Sequence, residues 1–243
     1  LTRGIYAAPD YLRAHGVPCV VYVPTGFPDR IAEPWWLGLE QVIAKERRFG
    51  MVMEGREVRF DCATVAAKYA VFERLWTWLC ARPSDAEMRE VARDLCARHR
   101  VDLNALADEH FLDWADIARL AADPLVTLGT ATVHLPMLSK LGETAAAREM
   151  RMGQSVLEAA TGRKPTHFAY PFGSAGTFGA RDVTLAEHIG FATAVTAEPR
   201  ALVPNDRRRL TRLPRLTVDG ERDVLGWLRL RLVGPDEAKP EPA

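Results

Sequence analysis

Residues able to do chemistry are sparse in this chain and seldom stand in company. His134 lies in the run Gly129-Thr130-Ala131-Thr132-Val133-His134-Leu135-Pro136. An imidazole there could ligate a metal, but zinc is held by several His, Cys or acidic side chains and this run contains no other. The plainer reading is a histidine that hydrogen-bonds at a loop or faces solvent. Asp113 and Asp116 fall at a helix start, where carboxylates meet free backbone amides. Trp35, Trp36 and Trp114 have the ring size to stack on a pyranose, although large aromatics more often fill cores. Cys19, Cys62, Cys80 and Cys96 show no close CxxC pair and read as buried thiols rather than a disulfide or soft-metal site. Gly173, Gly176 and Gly179 are too irregular for a phosphate-cradling loop. Arg207-Arg208-Arg209, beside Asp206, reads as a solvated loop, with a phosphate or acidic polysaccharide contact as the alternative.

The elements that must position these residues alternate between helix and strand. Pro9 to His15 ends a helix at Gly16, and the continuous apolar run Cys19-Val20-Val21-Tyr22-Val23 predicts a parallel strand covered on both faces. Pro24, Gly26 and Pro28 break it, and a helical stretch runs from Trp35 to near Arg48. Residues 49–60 predict a small hairpin around Gly55. A helix over 63–79 follows, then another whose Ser84 and Glu87 fit a capping box ahead of Met88, Val91, Ala92 and Leu95. Further helices are expected at 112–121, 143–161 with Gly162 at its end, and 183–188, separated by strands at 126–129, 166–170 and 192–196. A terminal helix at 224–232 and a polar tail complete the order. Such alternation favours a parallel α/β arrangement.

At 243 residues the chain can bury one substantial core, and one domain is expected over 1–234, with a helical insertion at about 49–111 and a tail at 235–243. Lys+Arg and Asp+Glu balance at 32 each, so no whole-chain attraction draws it to nucleic acid or an anionic membrane. No stretch is long and apolar enough for a membrane span, and no signal peptide pattern opens the chain, so a cytoplasmic location is expected.

The stretch from Val126 to Leu141 resembles the strand and loop of polysaccharide deacetylases of the NodB-homology type, written in that family roughly as Gly-x-His-Thr-x-x-His-Pro-x-Leu. Gly129, Thr132, Pro136 and Leu138 match; the two metal-binding histidines fall on Ala131 and Leu135. Leu12-Arg13-Ala14-His15-Gly16-Val17-Pro18, Leu112-Asp113-Trp114, Thr161-Gly162-Arg163-Lys164-Pro165 with Phe168-Ala169-Tyr170-Pro171-Phe172-Gly173, and Gly190-Phe191-Ala192-Thr193-Ala194-Val195 resemble further family segments in the family's order. The family's Thr-Phe-Asp-Asp-Gly-like motif, with a metal-binding aspartate and a general base, has no match. Its first strand is read as missing ahead of Leu1-Thr2-Arg3. The late segment Leu213-Pro214-Arg215-Leu216 carries no histidine to serve as general acid.

The resemblance implies a distorted β/α barrel of fewer than eight strands, with its groove at the carboxyl ends of the strands. It implies that Trp114, Tyr170, Pro171, Phe172 and Arg215 line that groove, and that the backbone amide of Tyr170 is an oxyanion donor. A methyl and an isobutyl group have no lone pair, so no metal is expected at Ala131 and Leu135. The expected protein has lost metal-dependent activity and serves as a carbohydrate-binding or partner-subunit homologue. Its ligand would be a carbohydrate or amino sugar, and a second copy or a partner would cover the exposed sheet edge. The alternative is a hydrolase of N-acetyl groups on amino sugars, or of a related small amide. It would use zinc or another divalent metal, with His134 as a displaced ligand and residues from outside the chain completing the site.

Overall fold

A computed structural model describes residues 12–216. The start of the chain at Leu1, the expected helix at 224–232 and the tail at 235–243 lie outside the described residues. Within them, four strands form a parallel sheet: β1 (Cys19–Val23), β4 (Val126–Thr130), β5 (His167–Ala169) and β6 (Thr193–Val195), in the order β1-β4-β5-β6. β1 runs alongside β4 from Cys19↔Val126 to Val23↔Thr130, and β5 pairs with β6 from His167↔Thr193 to Ala169↔Val195. All four strands therefore finish at one end of the sheet, and the loops after Val23, Thr130, Ala169 and Val195 converge there.

β1 departs from expectation in one respect. Its apolar run predicts burial on both faces, yet Val20 is 42% exposed. Among the described residues β1 is an edge strand; Val21 and Val23 are buried in the core formed with Leu112, Ile117, Leu120, Val126 and Leu157, and Cys19 packs against it half-buried.

Between β1 and β4 lies a helical layer with a core of its own. It comprises α1 (Trp35–Lys45), the hairpin β2 (Arg48–Met53) and β3 (Arg56–Asp61), α2 (Val65–Cys80), α3 (Asp85–Arg98) and α4 (Leu103–His110). The hairpin forms as its sequence predicts, because Glu54 and Gly55 both take positive φ, the turn that matches strand twist. α1 ends at Lys45 rather than near Arg48, since Arg48 already pairs with Asp61. α4 is absent from the sequence reading; Asp102 caps it by accepting from the amides of Asn104 and Ala105. Trp35, Leu39, Leu75, Leu79, Met88 and Leu95 are buried in this layer, and Met137 and Phe172 bring the sheet's loops into it.

The remaining helices are α5 (Trp114–Ala121), α6 (Glu143–Thr161) and α7 (Ala180–Ile189). Asp113 and Asp116 cap α5 reciprocally: Asp116 N–H donates to Asp113 at 2.8 Å and Asp113 N–H to Asp116 at 3.2 Å. α6 stops at Gly162 in the left-handed conformation, φ 68°. No helix among the described residues is long and apolar enough to cross a membrane.

α6 approaches the loop after β4 so closely that Gly153 has no room for a side chain. A Cβ there would lie 2.8 Å from Thr130 Oγ1 and 2.8 Å from the Thr132 carbonyl oxygen. Gly153→Ala would ordinarily favour a helix by about 1 kcal/mol. Here overpacking against backbone outweighs that gain, and a net loss of about 1–3 kcal/mol is expected. Thermal denaturation checks it; a raised melting temperature would contradict the close approach.

Candidate functional site

The loop from Ala131 to Met137 leaves the carboxyl end of β4 and takes an unusual path. Thr132 and Leu135 both adopt left-handed backbone angles, φ 67° and 54°, which cost side-chain-bearing residues about 1–3 kcal/mol each. Three elements hold it in that path. The β1 loop donates from Thr25 N–H to Thr132 O at 3.1 Å and from Gly26 N–H to Val133 O at 2.9 Å. From α6, Glu149 Oε2 accepts from the amides of Val133 (3.1 Å) and His134 (3.0 Å), while Oε1 meets His134 Nδ1 at 2.8 Å.

The third hold comes from α3 in the helical layer. Arg89, 9% exposed, donates through Nε to Asp85 at 2.6 Å and through Nη2 to the carbonyls of His134 (3.0 Å) and Leu135 (3.3 Å). Asp85 in turn accepts from the amide of Met137 at 3.3 Å. The loop closes on itself where Leu135 N–H donates to Thr132 Oγ1 at 3.2 Å. Glu149, Asp85 and Arg89 have no place among the sequence-derived candidates. An acid and an arginine four apart on a helix look like an ordinary solvated pair, and nothing in the sequence marks this pair as buried.

Ala131 is 5% exposed and packs with Ala169 and Val195, with Tyr22, Leu135 and Leu213 against them. Leu135 also reaches the cluster of Phe27, Ala32, Ala107 and Phe111. His134 stands apart from that cluster, its ring held by Glu149 and its side chain 43% exposed. Among the described residues, no three His, Cys, Asp or Glu side chains converge as a metal-holding set.

The proposed groove residues are dispersed. Tyr170 is buried, stacks on Phe178 at 4.3 Å and donates its hydroxyl to Thr211 O at 2.7 Å. Burial, with Asp182 and Glu187 nearby, pushes its phenol pKa upward against the pull of Arg212. Its amide, read from the sequence as an oxyanion donor, is engaged in the sheet, donating to Val195 O at 3.1 Å. Pro171 is buried, and Phe172 turns the opposite way from Tyr170, meeting Trp36 and Trp76 edge-on at 5.8 and 5.7 Å. Trp114 packs beside the β1 core and donates from Nε1 to Asp29 at 2.7 Å. Arg215 donates from Nε to Thr196 O at 2.8 Å, its guanidinium 5.8 Å from the Tyr22 ring centre.

Residues 94–193, which run from the end of α3 through α4, α5, β4, the loop, α6, β5 and α7 to the first residue of β6, match the family model described as Polysaccharide deacetylase. The BpsB deacetylase domain from Bordetella bronchiseptica is similar in structure at 14% identity. That match has a TM-score of 0.52 and covers 90% of this chain and 68% of that one. The chain is thus similar to the polysaccharide deacetylases over residues 94–193, and it shares the fold of the BpsB domain. A de-N-acetylase from Aggregatibacter actinomycetemcomitans matches at 11% identity and TM-score 0.47, over 91% of this chain and 68% of that one. The Streptococcus pyogenes deacetylase PplD, in complex with acetate, matches at 14% and 0.45, over 65% and 67%. No curated protein matches the chain.

Two predictions test the loop's supports. Arg89→Met strands Asp85 in a buried setting and leaves the carbonyls of Glu33, His134 and Leu135 without this donor, so a loss of about 3–5 kcal/mol is expected. Hydrogen exchange at the amides of 133–137 should quicken in parallel; unchanged exchange would remove Arg89 from this role. Glu149 makes the second test. Burial pushes its carboxyl pKa up, but the bonds from His134 and Val133 and the His134 charge together bring it below the model value of 4.5. A carboxyl whose folded pKa is depressed adds stability that is present above its unfolded pKa and lost as pH falls through the folded value. The wild type should therefore lose stability faster than Glu149→Gln on acidification below about pH 4.5. Parallel stability-versus-pH curves would contradict it.

Proposed function

We propose that this chain is a polysaccharide deacetylase-like protein without metal-dependent hydrolysis, acting as a carbohydrate-binding or partner-subunit homologue. In this reading the four parallel strands are an arc of the distorted barrel, and the hairpin and helices between about 49 and 111 are an insertion on it.

One observation carries the proposal. At the two positions where the resemblance puts metal-binding histidines stand Ala131 and Leu135, side chains with no lone pair, packed among Tyr22, Ala169, Val195 and Leu213. A divalent ion there would be desolvated against methyl groups with nothing to replace its water, so the residues present do not fit a metal. Without an ion to polarise the amide or activate water, the ordinary route to hydrolysis lacks both nucleophile and charge stabilisation. His134 does not repair this, because its Nδ1 is bound to Glu149 and, among the described residues, no three ligating side chains converge there.

The test is elemental analysis of protein purified without chelator, before and after equilibration with zinc, paired with an assay for acetate release from N-acetylglucosamine oligomers. Metal far below one ion per chain and no acetate release are expected. A ratio near one, with acetate release abolished by chelator, would overturn the proposal in favour of a metal-dependent amidohydrolase.

A further inference from the structure

On the side of the motif loop facing α3, His134, Glu149, Asp85, Glu33, Arg93 and Ile31 help to line a cleft of about 430 Å³. Ala131 and Leu135 are not part of its wall. Most of the cleft's hydrogen-bonding capacity is consumed within the protein. Both oxygens of Glu149 and both of Asp85 have partners, and Arg89 is spent on Asp85 and on the carbonyls of Glu33, His134 and Leu135.

What remains unused has a definite pattern. Arg93, with its side chain 50% exposed, is anchored through Nε to Glu33 Oε2 at 2.9 Å. Its terminal nitrogens have no partner among the described residues. They form the planar fork that receives a carboxylate through two parallel bonds. Glu33 keeps its second oxygen as an acceptor. His134 faces Glu149 through Nδ1, and its Nε2, an acceptor when the ring is neutral, has no partner among the described residues. A double donor thus shares one cleft with two acceptors, and Ile31, Pro136 and Leu141 supply apolar wall.

A simple anion would satisfy the fork but set its charge against two lone pairs. A neutral sugar would satisfy the acceptors but offer the two terminal nitrogens of Arg93 no charged acceptor beyond the Glu33 already bound at Nε. We propose that this cleft binds a polyhydroxylated carboxylate, the chemistry of a uronic acid, with Arg93 on the carboxylate and His134 Nε2 and Glu33 accepting from hydroxyls. The choice of a sugar acid rests on the carbohydrate-binding reading. The two remain separable, because metal content and acetate release test the loss of hydrolysis, whereas ligand binding tests the cleft.

Isothermal titration of the whole chain with sodium glucuronate, glucose and sodium acetate decides the matter. Glucuronate should bind saturably and at least about tenfold more tightly than either other probe, the worth of one charge-assisted bond. Arg93→Gln, on a half-exposed helical position, should bring glucuronate down to the level of glucose. His134→Gln, which still donates to Glu149, should weaken glucuronate while leaving thermal stability near wild type. Glucose binding as tightly as glucuronate, an unchanged affinity in Arg93→Gln, or no saturable binding of any probe would each overturn the assignment.

Discussion

The grip of Arg89 and Asp85 on the loop after β4 is the contact on which the arrangement of this protein turns. A buried ion pair is rarely stabilising by itself, because the desolvation of two charges consumes most of their attraction. This pair is used differently. The guanidinium reaches beyond Asp85 to the carbonyls of Glu33, His134 and Leu135, and the carboxylate reaches the amide of Met137. One helix of the helical layer thereby satisfies backbone groups on two separate loops that could not otherwise be buried. The layer and the sheet are joined by hydrogen bonds that neither could make alone.

Apolar packing reinforces the same junction. Met137 leaves the clamped loop to enter the core of Trp35, Leu75 and Met88, and Phe172 leaves the loop after β5 to meet Trp35, Trp36 and Trp76. Tyr170, two residues earlier, goes the other way, into the core shared by Phe168, Phe178 and Phe191. Residues two apart on a strand would share a face; the left-handed backbone at Phe172, φ 60°, breaks that alternation, and the Tyr-Pro-Phe segment thereby ties two cores together. Aromatic rings that a family resemblance would assign to a groove are occupied in holding the scaffold.

The sequence displayed the fold more clearly than the site. Continuous apolar runs and Gly or Pro punctuation located every strand of the parallel sheet, and Ser84, Asp113 and Gly162 marked helix ends through local hydrogen bonding that the neighbouring residues themselves determine. α4 escaped because eight residues barely exceed two helical turns and leave little periodicity to detect. The exposure of Val20 escaped because a run of apolar residues reports composition and not what lies beyond the strand. At Ala131 and Leu135 the expectation needs residue type alone, since no arrangement gives either side chain a lone pair. Glu149, Asp85 and Arg89 became visible only in three dimensions, since their roles arise from contacts 15 to 56 residues away in the chain.

The loop after β4 keeps a demanding shape through contacts made almost wholly on its backbone. The left-handed angles at Thr132 and Leu135 are strained, and strain persists only where the surroundings over-determine it. Here the determining contacts are Thr25 and Gly26 from β1, Glu149 from α6, and Arg89 and Asp85 from α3, and nearly all of them act on backbone atoms. None acts on the side chain of Ala131 or Leu135. The hydrogen bonds that set the loop's shape thus bypass those two side chains, which pack in the apolar clusters instead. His134 differs, because its ring is itself one of Glu149's contacts. A replacement there that cannot donate to a carboxylate disturbs the loop as well as the cleft, which ties the loop's geometry to the cleft on the α3 side and not to the apolar cluster at the strand ends.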